Sequence, residues 1–105
     1  MVVRLTFCKF LPDKITEAKR VYNQDIVPVA KKQKGNLRIF LLEPVDMADD
    51  FISVTEWKSK EDADAYHTSG IYKSLVNKLE KFFMKEPTIK VYNEIEAFTP
   101  SYPIL

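Results

Sequence analysis

The order in which hydrophobic periodicity switches between two and 3.6 residues leaves this chain few folds to choose from. Residues 2–10, VVRLTFCKF, alternate, with Val3, Leu5 and Phe7 on one face and Arg4, Thr6 and Cys8 on the other, as a strand requires. Pro12-Asp13 breaks that pattern. From residue 15, Ile15, Ala18, Tyr22, Ile26, Val29 and Ala30 recur at three- and four-residue spacing, which predicts a helix to about Lys34. Pro28 lacks the N–H that would bond back to Gln24, so a kink or restart is expected there, and Gly35 suits a left-handed cap. Residues 36–43, NLRIFLLE, and 51–57, FISVTEW, read as two strands joined by the turn PVDMADD. Ser59 with Asp62 resembles a capping pair that opens a short helix with Ala63 and Tyr66 inward. A second helical stretch runs from about Ser69 on the stripe Ile71, Tyr72, Leu75, Val76, Leu79, Phe82 and Phe83, until Pro87 ends it. Residues 88–97, TIKVYNEIEA, alternate as a fourth strand, and FTPSYPIL trails behind. The order β-α-β-β-α-β is the ferredoxin-like arrangement of an α+β protein: an antiparallel sheet with its helices on one face, over residues 1–98, with a tail at 99–105.

That architecture leaves one sheet face to be covered. Ile39 and Leu41 point one way and Phe40 and Leu42 the other, while Ile52 and Val54 oppose Phe51 and Trp57. Both faces are apolar, whereas a face meeting water would be polar. A second copy of the same sheet is the expected cover, in a two-fold homodimer burying roughly 2,000 Å² or more. Tyr102, Ile104 and Leu105 of the tail are expected to add to that contact.

Composition narrows the function. Sixteen Lys and Arg against fifteen Asp and Glu leave a net charge of +1 over 105 residues, so no global field draws the chain to nucleic acid. The single cysteine cannot form an internal disulfide, and the N-terminus alternates at once instead of opening on a signal sequence. No apolar run approaches the roughly 20 residues that span a bilayer. The expected setting is the cytoplasm, with no membrane partner. No metal-ligand spacing, phosphate loop or hydrolase constellation is present, so no metal is expected.

The chemistry-bearing stretch is TEWKSKEDADAYHTSGIY, residues 55–72, which holds the only tryptophan and the only histidine. Together with VVRLTFCKFLPDK, PVAKKQKG, KSLVNKL and IKVYNEIEA, it makes the chain resemble the antibiotic biosynthesis monooxygenase family over about residues 2–97. The resemblance implies a dimeric α+β barrel and an enzyme that oxygenates a phenol, quinol or anthrone-like substrate without a cofactor. It equally admits a non-catalytic barrel that binds an apolar ligand or serves a stress or regulatory role. Heme-degrading members carry an Asn, a Trp and an iron-ligating His where this chain has Thr6, Tyr66 and Val76, so the heme reading loses its axial ligand. Anthrone-oxidising members share Trp57 but place a Tyr and an Arg where Ala63 and Val76 stand. Quinol-oxidising relatives place a His at the position of Tyr66, and here the next residue is His67.

A cofactor-free oxygenation needs a base near neutral pKa, an apolar cavity and a donor for the developing oxygen anion. His67 is the candidate catalytic base, at the rim, with an intrinsic pKa of about 6.5. Trp57, Tyr66 and Tyr72 are expected to wall one cavity between sheet and helices, and Arg4 and Thr6, with Cys8 beside them, to give it a polar floor. A small aromatic molecule is the expected ligand.

Overall fold

A computed structural model of the protein describes residues 1–95. Strand β1 (Val2–Cys8) lies inside a four-stranded antiparallel sheet of order β2-β3-β1-β4, with β2 at Asn36–Leu42, β3 at Phe51–Trp57 and β4 at Thr88–Asn93. Each pair of strands joined by helices has another strand between its members, which is the ferredoxin-like split topology. The expected fourth strand reached residue 97, and β4 ends at Asn93; residues 96 and 97 and the tail at 99–105 lie outside the described residues.

Register fixes the two faces. Val2, Arg4, Thr6 and Cys8 pair with Trp57, Thr55, Ser53 and Phe51, and all four of these β1 residues are buried beneath the helices. On the opposite face Val3, Leu5 and Phe7 pair with Glu56, Val54 and Ile52, and β2 adds Phe40 and Leu42. No helix among the described residues covers that side, and Leu42 is exposed.

The first helical segment restarts at Pro28, as expected, by way of a π turn. Helix α1 (Ile15–Val21) widens into a π turn over Tyr22–Ile26 and restarts as α2 (Val27–Ala30). The Val27 N–H reaches back five residues to the Tyr22 carbonyl. Pro28 sits in the first turn of α2, where a missing N–H costs little, so the disturbance falls just before the proline. Both Tyr22 and Ile26 are thereby turned inward and buried. Gly35 adopts φ +79° as expected of a left-handed cap, and a Cβ there would run into the side chain of Asp62.

Ser59 caps helix α3 (Lys60–Thr68), accepting a hydrogen bond from the Asp62 N–H. Gly70, at φ +90°, turns the chain into α4 (Ile71–Asn77). The expected long second helix stops there. A single 3₁₀ turn at Glu80–Phe82 follows, and Phe83 becomes extended to bridge Phe10. The reason is backbone pairing: Leu11 N–H bonds to Phe82 O and Met84 N–H to Lys9 O, each at 2.8 Å. The apolar stripe is kept, since Leu75, Leu79 and Phe82 are buried in the core with Phe10, Phe51 and Trp57. No helix among the described residues is long and apolar enough to cross a membrane.

Candidate functional site

Period two on β1 places Arg4 beneath α3, and the cap at Ser59 sets the phase of α3 so that Ala63 and Tyr66 face inward. His67 follows one step of about 100° around the helix and is exposed. The Gly70 turn then brings Tyr72 back beside them. The Arg4 guanidinium lies over two rings, 4.8 Å from the Tyr72 centroid and 5.5 Å from that of Tyr66. Its Nη2 donates to His67 Nδ1 at 3.3 Å. His67 stacks on Tyr72 with centroids 5.4 Å apart, and Tyr66 meets Trp57 at 4.8 Å. All five aromatic and cationic residues expected at the site therefore form one contiguous cluster.

Arg4 is 4 % exposed, and among the described residues no carboxylate lies within ion-pair distance of it. Burial pulls its guanidinium below the ordinary value, against the opposing pull of Tyr72, Tyr66 and Asp64. Burial also pushes the Tyr66 phenol up to about 12. Tyr72 is raised by burial as well, opposed by the Thr6 hydroxyl and the Arg4 charge. The tyrosines thus stay protonated donors, and the charge of the site is carried by Arg4.

A small cavity borders the same two tyrosines. It measures about 30 Å³ and is lined by Thr6, Cys8, Tyr66 and Tyr72 together with Tyr22, Ser53 and aliphatic side chains of the helices. Trp57, expected in its wall, instead stands behind Tyr66, fully enclosed, with Nε1 donating to Thr55 Oγ1 at 2.9 Å. Arg4 and His67 likewise do not line it. The sequence reading missed the Tyr22 hydroxyl and Ser53 Oγ, bonded at 2.8 Å. Ser53 shares a face with Thr6 by register, a signal available from the strand pattern; Tyr22 depends on the π turn.

Beside this cavity a cleft of about 600 Å³ opens between α4 and β4, a size suited to a small organic molecule. Tyr72, Val76 and Phe83 line both spaces and separate them. Val76 offers no atom that could ligate an iron, so the residues present do not fit a heme held from this helix. Among the described residues no three His, Cys, Asp or Glu side chains come together.

Comparison with solved structures places the fold among many relatives. An antibiotic biosynthesis monooxygenase homologue of Deinococcus radiodurans superposes with TM-score 0.79 at 13% identity, covering 96% of this chain and 99% of that one. Its counterpart from Nitrosomonas europaea gives 0.76 at 18% identity, over 91% and 100%. A MhuD mutant solved with two manganese protoporphyrin IX bound per active site gives 0.78 at 15% identity, over 95% and 100%. At these identities the likeness shows the fold alone. A search of curated proteins finds no match to the sequence. The model of the family described as antibiotic biosynthesis monooxygenase matches residues 1–78, and the chain belongs to that family.

Proposed function

We propose that the protein is a cofactor-independent monooxygenase acting, as a homodimer in the cytoplasm, on a small electron-rich phenol, quinol or anthrone-like compound. The observation that carries this reading is Arg4: a buried guanidinium on two tyrosine rings with no carboxylate partner among the described residues. An unpaired buried charge is costly, and a substrate anion would offset it. The cleft offers an aromatic ring a place against Tyr72, whose ring also packs on Arg4 and His67.

While Arg4 donates to Nδ1, the neutral His67 ring carries its proton on Nε2 and has no free lone pair. To accept the substrate's proton His67 must release Arg4. Deprotonation and the freeing of the guanidinium are therefore one event, and the positive charge becomes available as the anion forms. The anion then gives electrons to dioxygen. For an anthrone-like methylene the balance is CH₂ plus O₂ giving C=O plus H₂O, all electrons coming from the substrate.

The test is oxygen uptake with a hydroquinone or an anthrone and no added metal or flavin. His67→Ala should lower the rate by roughly 10²–10⁴-fold, as for a general base. The position of His67 outside the lining of both the cavity and the cleft favours a second reading, a non-catalytic barrel that binds an apolar ligand. Ligand binding without uptake of oxygen would establish that reading and overturn the first.

A further inference from the structure

We infer that the narrow cavity beside Tyr66 and Tyr72 is a seat for dioxygen, an inference that rests on the oxygenase reading above. Its volume of about 30 Å³ exceeds the roughly 10–15 Å³ that one water occupies and falls far below the hundreds of Å³ of an organic ligand site. It fits a diatomic molecule and excludes an aromatic ring.

Its chemistry is also selective. Ile26, Ile39, Leu75 and Leu79 supply aliphatic walls. Thr6, Tyr22, Ser53, Tyr66 and Tyr72 bring hydroxyl-bearing side chains to the lining, but Tyr22 bonds Ser53 and Tyr72 bonds Thr6, and among the described residues no buried side-chain nitrogen or oxygen lacks a hydrogen-bond partner. A water in this space would find few partners to replace those it leaves in bulk. Dioxygen, uncharged and apolar, gains by leaving water for such a space. Position completes the case: Tyr72, Val76 and Phe83 divide the cavity from the cleft, so a gas molecule held inside lies one side chain from a ring bound outside. The two reactants then have separate sites, and their affinities respond to different residues.

The experiment uses dioxygen itself as probe. Under oxygen pressure the paramagnetic gas should accelerate NMR relaxation of the Ile26 and Leu79 methyls severalfold more than that of the Val2 and Val21 methyls, which are equally buried elsewhere in the core. Leu79→Phe, which adds ring carbons to the cavity, should abolish that difference. It should also raise the KM for oxygen severalfold and leave the KM for the organic substrate unchanged. Uniform relaxation across these methyls would overturn the proposal. Xenon pressure on the wild-type protein gives a second reading that needs no variant: shifts confined to the same methyls support the seat, and their absence overturns it. The relaxation measurement requires no turnover, so a failure of oxygen uptake would defeat the oxygenase reading while the methyl signals alone decide the gas seat.

Discussion

In the two central strands, β1 and β3, the helix-covered face of the sheet is the more polar and the opposite face the more apolar. Under the helices the centre of the sheet presents Arg4, Thr6, Ser53 and Thr55, framed by Val2, Cys8, Phe51 and Trp57. On the open side stand Val3, Leu5, Phe7, Ile52, Val54, Phe40 and Leu42, with Arg38 and Glu56 3.7 Å apart at one end and Lys90 of β4 over the Phe7 ring. A sheet built for stability as a single layer would have the reverse arrangement. Polar groups placed where water is excluded serve a ligand, and apolar groups left in water call for a cover.

The strongest way to break this comparison is to charge the open face. Ile52→Asp places a carboxylate on that face, between Phe7 and Leu42 by register. In the proposed dimer an unpaired buried charge costs several kcal/mol, so the dimer dissociation constant should rise by about a thousandfold. Sedimentation would show a monomer where the wild type is a dimer. An unchanged sedimentation coefficient, or a wild-type chain that is already monomeric at micromolar concentration, would mean that the open face meets something other than its own copy.

A smaller effect sharpens the other side. Arg4→Met keeps a long side chain against Tyr66 and Tyr72 but removes the charge. Stability should hold or rise, because replacing a buried charge by an apolar group is often neutral or favourable. Turnover should fall by about 10²-fold, the scale of losing one group that stabilises a developing anion. Loss of stability with activity retained would make Arg4 a structural residue.

The mildest effect is the response to alkali. Burial holds Cys8 and Tyr66 at about 12, and Tyr22 and Tyr72 are also raised by burial. For each of these groups the folded state keeps a proton that the unfolded chain would lose. Their contribution is thus fully present below about pH 9, the ordinary thiol value, and is lost as pH rises toward 12. Denaturation midpoints should be flat below pH 9 and decline above it, with a shallower decline in Cys8→Ala. A midpoint that rises over that interval would contradict the burial of these groups.

Much of this was readable in advance, and the reasons differ by residue. Arg4 and Thr6 on one face follow from period two, and Tyr66 buried with His67 exposed beside it follows from the cap at Ser59 and the helical step. The placement of Trp57 behind Tyr66 did not follow, because a strand end states which face a side chain takes and not what stands in front of it. Tyr22 was read as one more core position, since spacing cannot reveal a π turn.

The sequence by itself determined the element order, the strand faces and the family, because each is carried by local periodicity or by motifs spread along the chain. Tertiary structure decided where the second helical stretch ends, since pairing of Phe83 with Phe10 overrides a continuous apolar stripe. It also decided that Arg4 and His67 touch Tyr72 without lining the cavity that Tyr72 borders. Empty space is set by the fit of side chains brought together from distant segments, and no residue encodes it alone.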